Sequence, residues 1–212
     1  SAFANRFHAV TTYALDLILW SRIFSRSTDL ARYSHAMSAR GVARPAPALF
    51  IFGASHQAHV WEQGFGEVYR LLLANLEPPD LISSIRYARP SPAFQGIYLW
   101  DSAFIAQVWK PWDTAVARDV CRAVVNNQRD GRLPHVTAHF MESSFTQPPL
   151  IAWSLWRVYA SSSEGAGRAK LADAYNRLTL YADWLEQHRR LDRGVYFWAH
   201  AYESGIVNTP RF

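Results

Sequence analysis

The sequence predicts an all-α protein built from two concentric layers of helices. Half of its 212 residues are hydrophobic and 18% are charged, a balance that supplies a globular core and excludes a disordered chain. Apolar residues recur at helical spacing through most of the chain. The helical segments also alternate in kind. Some are apolar on nearly all sides, as buried helices are, and the next has one polar face, as an outer helix has.

The first third of the chain is predicted to contain three helices and one short strand. A break rich in proline and glycine at 41–47 separates the first two helices from the strand. In chain order the helices are Asn5–Phe24, Thr28–Ser38 and His59–Leu76, and the strand is Ala48–Phe52.

Beyond a proline-rich loop at 77–95, buried and two-faced helices alternate. Asp113 is placed to cap one helix, and Pro148-Pro149 to open another. The mostly apolar segments are Tyr98–Trp109 and 148–160, and the amphipathic ones are Thr114–Asn127 and Ala169–His188. Connections are predicted at 130–146 and 161–167, and an extended segment at 195–200.

Charge and hydropathy argue against several partners. The net charge is +5, but the densest basic group, Arg189, Arg190 and Arg193, falls at a predicted helix end, where cations favour the helix dipole. We therefore expect no nucleic-acid partner. The apolar run at 13–24 is too short and too interrupted to span a membrane, so we expect no membrane partner.

One cysteine, Cys121, allows no intrachain disulfide. The compartment stays open, with a soluble, cytoplasmic location favoured.

Three loops beside the buried helices carry side chains suited to a sugar. Tyr98, Trp100 and Asp101 set two aromatic rings beside a carboxylate, which suits the apolar faces and hydroxyl edges of a sugar. Gln147 precedes a buried helix, so its amide is predicted to point into the cavity that the helix ends line. Glu203, in the last loop, is a second candidate carboxylate.

Each of these side chains also has a purely structural interpretation. Asp101 or Ser102 could cap the helix, Trp100 could belong to the core, and Gln147 could be a surface residue. A metal site is a further alternative, because His135, His139 and Glu142 would share a face on a helix. A proline just before His135 places them in a connection instead. We expect neither a metal nor another cofactor, and we expect the thiol on the apolar helix face to be inert.

Four short motifs, in this order, resemble those of glycoside hydrolase family 63 and its neighbours, the mannosylglycerate-hydrolase-like enzymes and the trehalases. They are Tyr98-Leu-Trp-Asp-Ser102, Asp130-Gly-Arg-Leu-Pro134, Gln147-Pro-Pro149 and Glu203-Ser-Gly-Ile-Val-Asn-Thr-Pro210. The resemblance implies an (α/α)6 toroid-like helical domain, of which residues 90–212 form the first half. Residues 1–89 form a helical segment of unassigned role. A full toroid has twelve helices and we predict about seven, so we expect the domain to be incomplete in this chain.

The resemblance also implies a small sugar or glycoside as the ligand, held by the loops before the inner helices. The implied substrate-binding residues are Tyr98, Trp100, Asp101, Gln147, Tyr202, Glu203, Gly205 and Asn208. Gly205 would let its loop approach the ligand closely. Such enzymes look like inverting glycosidases, in which a carboxylic acid protonates the leaving oxygen and a carboxylate ~6.5–9.5 Å away activates water.

Two departures from the family leave the catalytic residues unassigned. The family's acid falls at Val207, which cannot donate a proton. The base comes from the later half of the toroid. The alternative is a non-catalytic carbohydrate-binding or helical scaffold protein. Because a half-toroid leaves an apolar flank uncovered, we expect the chain to pair with a second half or to self-associate.

Overall fold

The computed structural model describes residues 56–160 and 165–206. The helices predicted before residue 55 and the strand Ala48–Phe52 lie outside the described residues, as do Val207 and Asn208. Helices dominate what is described, as the sequence predicts. In chain order they are α1 (His56–Ala74), α2 (Leu99–Trp109), α3 (Thr114–Asn126), α4 (Leu150–Ala160) and α5 (Gly165–Arg189), followed by the 3-10 helix Ala201–Ser204.

The predicted two-faced character of α3 is confirmed. Its N-cap is Asp113, whose Oδ1 accepts hydrogen bonds from the backbone N–H of Ala115 at 2.9 Å and of Val116 at 3.2 Å. The six apolar side chains predicted to share one face are all buried: Val116, Ala117, Val120, Cys121, Val124 and Val125. That face packs against α2 and α4.

Helices α2 and α4 run parallel, with the fully buried Ser154 between them. The Ser154 hydroxyl donates to the backbone oxygen of Ala103 at 2.8 Å and accepts from the amide of Gln107 at 2.7 Å. It also lies 3.5 Å from the Cys121 Sγ of α3. One small polar residue thus joins three helices, and the parallel packing brings the N-terminal ends of α2 and α4 together.

Helix α4 is less buried than the sequence predicts. Ile151, Ser154, Leu155, Val158 and Tyr159 face the core. Trp153 and Trp156, however, are 45% and 62% exposed. The prediction of all-round burial is therefore wrong for the described structure, because α4 packs through one face and turns two indoles outward.

Helix α5 also has a narrower buried stripe than predicted. Ala174 and Tyr181 are buried, with partly buried leucines in line with them, but Tyr175 is 68% exposed and Ala182 is exposed as well. Its first turns include Gly165–Gly167, which were predicted to be loop.

Two small antiparallel sheets accompany the helices, and the all-α prediction missed both. The first pairs β1 (Leu76–Glu77) with β2 (Tyr87–Ala88). The second has the order β3 (Ile97–Tyr98), β4 (Val136–Ala138), β5 (Met141–Glu142), with Tyr98 opposite Val136 and Thr137 opposite Glu142. Strands of two or three residues are too short to show an alternating pattern. The second sheet has a clear consequence, since β3 continues directly into α2 and so fixes where that helix begins.

One continuous core joins these elements. It includes Tyr69 and Leu73 of α1, Trp109 of α2, and the buried faces of α3, α4 and α5. Residues on both sides of position 90 contribute to it. None of the helices in the described ranges is long and apolar enough to cross a membrane.

Candidate functional site

The N-terminal end of α2 is capped from two other parts of the chain. Its own N-cap residue, Tyr98, makes no side-chain cap. Instead, the N–H of Leu99 donates to the backbone oxygen of His135 at 3.0 Å, and the N–H of Trp100 donates to Oε1 of Gln147 at 3.1 Å. A helix end needs such partners when it is buried. Gln147, only 4% exposed, therefore brings the loop before α4 onto the first turn of α2.

Gly205 carries the last loop onto the same turn. It has φ +69°, the left-handed region that glycine adopts without strain. A Cβ placed there would lie 2.6–2.8 Å from three atoms of the Trp100 indole, so the glycine backbone packs directly on the ring. The sequence predicted that Gly205 permits a close approach to a ligand, whereas the close approach in the structure is to Trp100.

Asp101 lies in the first turn of α2, beside Trp100, and is partly buried. Burial raises the pKa of its carboxyl above the usual value, and hydrogen bonds from its own backbone and from the Trp100 side chain act in the opposite direction. Asp101 is the third residue of the helix rather than its N-cap. Its carboxyl is therefore engaged within the first turn of α2, beside the indole.

Glu203 occupies a different environment from Asp101. It is fully buried, and both of its oxygens are engaged. Oε1 accepts from Arg189 Nη2 at 2.6 Å and from the backbone N–H of Thr146 at 3.2 Å. Oε2 accepts from Arg189 Nε at 2.8 Å and from the N–H of Ala199 at 2.7 Å. Glu203 thus ties together three segments of the chain.

A buried hydroxyl pair continues this network to Gln147. Thr146 Oγ1 lies 2.5 Å from the hydroxyl of Tyr181 and 2.7 Å from the backbone oxygen of Leu133, and its one proton can serve either partner. The Tyr181 hydroxyl donates in turn to the backbone oxygen of Gln147 at 3.1 Å. The residues that flank the site are therefore held by α5 as well as by their own loops.

An aromatic cluster lines the same region. The ring of Tyr202 lies 6.0 Å from Phe145 and 6.2 Å from His135, centroid to centroid. Tyr98 meets His135 edge-on at 5.6 Å, and His200 stacks on Phe145 at 4.6 Å. The structure therefore gathers Tyr98 of the first motif and Tyr202, which directly precedes the last motif, around one buried imidazole.

His135 is a residue of this site that sequence reasoning treated only as a metal candidate. It is 8% exposed, and its Nδ1 has no hydrogen-bond partner among the described residues. Burial lowers the pKa of its imidazole to about 3, with a smaller contribution from His200. The ring is therefore neutral near pH 7. Its position directly after the Asp130–Pro134 motif was the signal that could have placed it here.

The metal alternative finds no support in the parts of the chain that the structure describes, where no three His, Cys, Asp or Glu side chains form a ligand group. His139 lies on the β4–β5 hairpin and pairs with Asp80 at 3.4 Å. Glu142 pairs with Arg129 at 3.1 Å and with Arg132 at 3.6 Å. The buried thiol of Cys121 has its pKa raised to about 12 by burial, as an inert cysteine does.

A cavity lies toward the C-terminal end of α2, away from the residues of the candidate site. Its volume is about 500 Å³, and it is lined by Gln107, Lys110, Pro111, Thr114, Trp153 and Arg157. None of the predicted sugar-binding residues within the described ranges lines it. The described motif residues meet instead at the N-terminal ends of α2 and α4.

Helices α2 and α4 thus hold aromatic rings and a partly buried carboxylate near their N-terminal ends, the arrangement expected of a glycoside-hydrolase-type helical domain. Comparison with known families makes the assignment specific. The chain belongs to the mannosylglycerate hydrolase MGH1-like glycoside hydrolase domain family, whose model matches residues 95–212, more than half of the chain.

Individual relatives agree with this assignment. A mannosylglycerate hydrolase of Thermus thermophilus is 28% identical over 137 residues, which cover 53% of this chain and 33% of the relative. Among solved structures, a glycoside hydrolase family 63 mannosylglycerate hydrolase, also of Thermus thermophilus, in complex with Tris gives a TM-score of 0.58 at 25% identity, covering 68% of this chain. The same crystallised enzyme in complex with glucose gives 0.57 at 25% identity.

These relatives are (α/α)6 toroids, so the predicted fold class and the predicted family are both confirmed. The chain spans only part of them, 33% of the curated relative and 38–39% of the two structures. The predicted incompleteness of the toroid in this chain agrees with that partial coverage.

Proposed function

We propose that this chain binds a small sugar or glycoside at the N-terminal ends of α2 and α4. The observation that carries the proposal is the convergence of three motifs on Trp100. Its backbone N–H bonds Gln147 and its indole contacts Gly205. The family 63 relative in complex with glucose adds support, because it shares this fold over 68% of the chain.

The proposed roles follow from the environment of each side chain. Trp100 and Tyr202 supply the aromatic surface, since the apolar face of a sugar ring packs well on such rings. Tyr98 is only 6% exposed and supports this surface from the core side. Asp101 supplies the carboxyl that bonds sugar hydroxyls. Gln147, Glu203 and Gly205 hold the loops that carry these groups. Asn208 belongs to the same motif as Gly205, and we propose it as a further sugar contact, although it lies outside the described residues.

We further propose that the site resembles that of an inverting glycosidase, in which an acid and a base act on opposite sides of the glycosidic bond. Residues 90–212 would form the first half of the toroid, and a partner half would supply the base. Residues 1–89 would be an N-terminal helical segment of unassigned role, whose described part, from residue 56, packs into the same core as the later helices. Val207 occupies the position of the family's acid, and this residue favours the second candidate function, a carbohydrate-binding protein without efficient catalysis.

Calorimetric titration of the full chain with glucose and with mannose tests the binding proposal. Asp101→Asn keeps the shape of the side chain but removes its charge, and we expect affinity to fall about 10-fold or more, the value of a hydrogen bond to a charged group. Asp173→Asn is the matched control, because Asp173 is an exposed carboxylate of α5 that pairs only with Arg177 in the described ion pairs. The proposal is wrong if the unaltered protein binds neither sugar, or if both variants bind equally well.

A further inference from the structure

Arg189 is the cationic half of a buried ion pair that lies behind the candidate site. Its guanidinium forms two parallel hydrogen bonds to the carboxylate of Glu203, at 2.6 and 2.8 Å. The Arg189 side chain is 12% exposed and that of Glu203 is not exposed at all. Nothing in the sequence pattern singled out Arg189 beyond its place at a helix end.

Both ends of the last loop depend on this one carboxylate. Glu203 accepts the N–H of Ala199 at the start of the loop, and Glu203 itself lies two residues before Gly205. Between them the chain forms a single 3-10 turn, closed by the N–H of Gly205 on the backbone oxygen of Tyr202. The position of the Glu203 carboxylate therefore sets where Gly205 lies on the Trp100 ring.

Arg189 is itself held rigidly. It is the last residue of α5, its Nη1 donates to the backbone oxygen of His188 at 2.8 Å, and its guanidinium lies 4.7 Å over the ring of Trp184. Such a bidentate pair fixes orientation as well as distance, which a lysine ammonium cannot do. If this cation is removed, the buried carboxylate loses its bidentate partner and is driven toward water.

We infer that Arg189 is a positioning residue for the sugar site, which acts through Glu203 to hold the loop 199–205 against Trp100. It touches no ligand. Its effect is on the geometry of the surface that the first and last motifs form together. The loss of Arg189 should therefore disturb this surface even in molecules that remain folded.

The test compares Arg189→Met and Arg189→Lys with Arg190→Met. Arg190 is the matched control, because it is an adjacent arginine whose ion pair with Glu186 is exposed on the helix surface. The first readout needs no ligand. One α proton of Gly205 points toward the Trp100 indole, in the direction that a Cβ would take, so its NMR signal is shifted by the ring current.

All variants are measured at temperatures where circular dichroism shows them folded. We expect the ring-current shift of the Gly205 signal to be lost in Arg189→Met, reduced in Arg189→Lys and unchanged in Arg190→Met. A purely stabilising ion pair would lower the melting temperature and leave the signal in place. Arg189→Lys retains the positive charge and so keeps the buried carboxylate compensated. If Arg189→Met does not fold, the Gly205 signal of the lysine variant alone tests the inference. An unmoved Gly205 signal in the folded lysine variant would overturn the inference.

The second readout is glucose affinity, and this arm rests on the proposed function. We expect a loss of 10-fold or more in Arg189→Met and a smaller loss in Arg189→Lys. Should the unaltered protein bind no glucose while the Gly205 signal still moves in the variants, the proposed function fails and the positioning role of Arg189 stands. Glucose affinity unchanged in variants whose Gly205 signal has moved would overturn the link between loop position and sugar binding.

Discussion

The backbone of Gly205 lies on the indole of Trp100, so close that a Cβ at position 205 would stand 2.6 Å from a ring carbon. This contact joins motifs that are about a hundred residues apart in the sequence. It also means that Trp100 has one side of its ring covered by protein. Any ligand of this residue must therefore use the ring edge or the remaining face.

Gly205→Ala tests this contact directly. The substitution forces a side chain into the left-handed region and against the indole, and we expect it to lower the free energy of unfolding by roughly 3 kcal/mol. Gly194→Ala is the control, since Gly194 has a similar φ of +79° but a Cβ there would meet only the end of the Arg190 side chain, at 3.5 Å. We expect about 1 kcal/mol for the control. Urea denaturation measures both values, and equal losses would contradict the Trp100 contact.

Much of the fold is predictable from the sequence because its cause is local. The stripe of valines and alanines on α3 and the Asp113 cap follow from helical spacing and capping chemistry, which operate within a few residues. The outward orientation of Trp153 and Trp156 could not be predicted. In a helix that is apolar on nearly all sides, the sequence does not indicate which face packs against a neighbour. The short strands cannot be predicted either, because their pairing depends on contacts with other segments and not on a local pattern.

The candidate site also contains residues that the sequence predicts and residues whose role only the fold shows. Trp100, Asp101 and Tyr202 could be singled out as candidates because aromatic and carboxylate side chains suit a sugar and because these residues lie in or beside motifs of the family. The role of Gln147 as a cap on α2 could not be predicted, because the helix it caps lies 47 residues away. Glu203 appears in the sequence as a free carboxylate, and only the fold shows that Arg189 and two backbone N–H groups enclose it.

His135 should make the protein sensitive to acid. Its folded-state pKa is lowered to about 3 by burial, against an ordinary value of 6.5. Between these values the unfolded chain binds a proton that the folded chain does not, so stability is lost as pH falls from about 6.5 toward 3, by an amount on the order of a few kcal/mol. Above pH 6.5 this contribution vanishes, because the imidazole is neutral in both states.

His135→Phe removes this sensitivity while keeping an aromatic ring in the cluster. We expect stability at about pH 7 to be unchanged or slightly higher, because an unpartnered buried nitrogen is replaced by carbon. We expect the loss between about pH 6 and pH 4 to be smaller than in the unaltered protein. Thermal denaturation across this pH range measures the difference. Parallel stability curves for the two proteins would show that His135 is protonated in the folded state or is not buried.

The outward face of α4 should promote association. Trp156 is 62% exposed and Trp153 45%, and large apolar side chains on an inner helix of a toroid are normally covered. We expect the isolated chain to form dimers or larger species by light scattering, and Trp156→Glu to shift it toward the monomer. Tyr175→Glu, on the exposed side of α5, is the control and should change nothing. A monodisperse monomer of the unaltered chain would count against an open half-toroid.

Val207, at the position of the family's acid, should limit catalysis even when a partner half provides the base. A glycosidase site without its acid should hydrolyse ordinary glycosides slowly, because general acid–base assistance is worth about 10²–10⁴-fold per group. The deficit should be small for glycosyl fluorides, whose leaving group needs no protonation. Val207→Asp should therefore raise the rate on poor leaving groups far more than on fluorides, and the ratio of the two rates, before and after substitution, is the quantity to measure. Rapid hydrolysis of unactivated disaccharides by the unaltered protein would mean that Val207 does not occupy the position of the acid. No gain in Val207→Asp with the partner half present would leave carbohydrate binding without hydrolysis as the function of this domain.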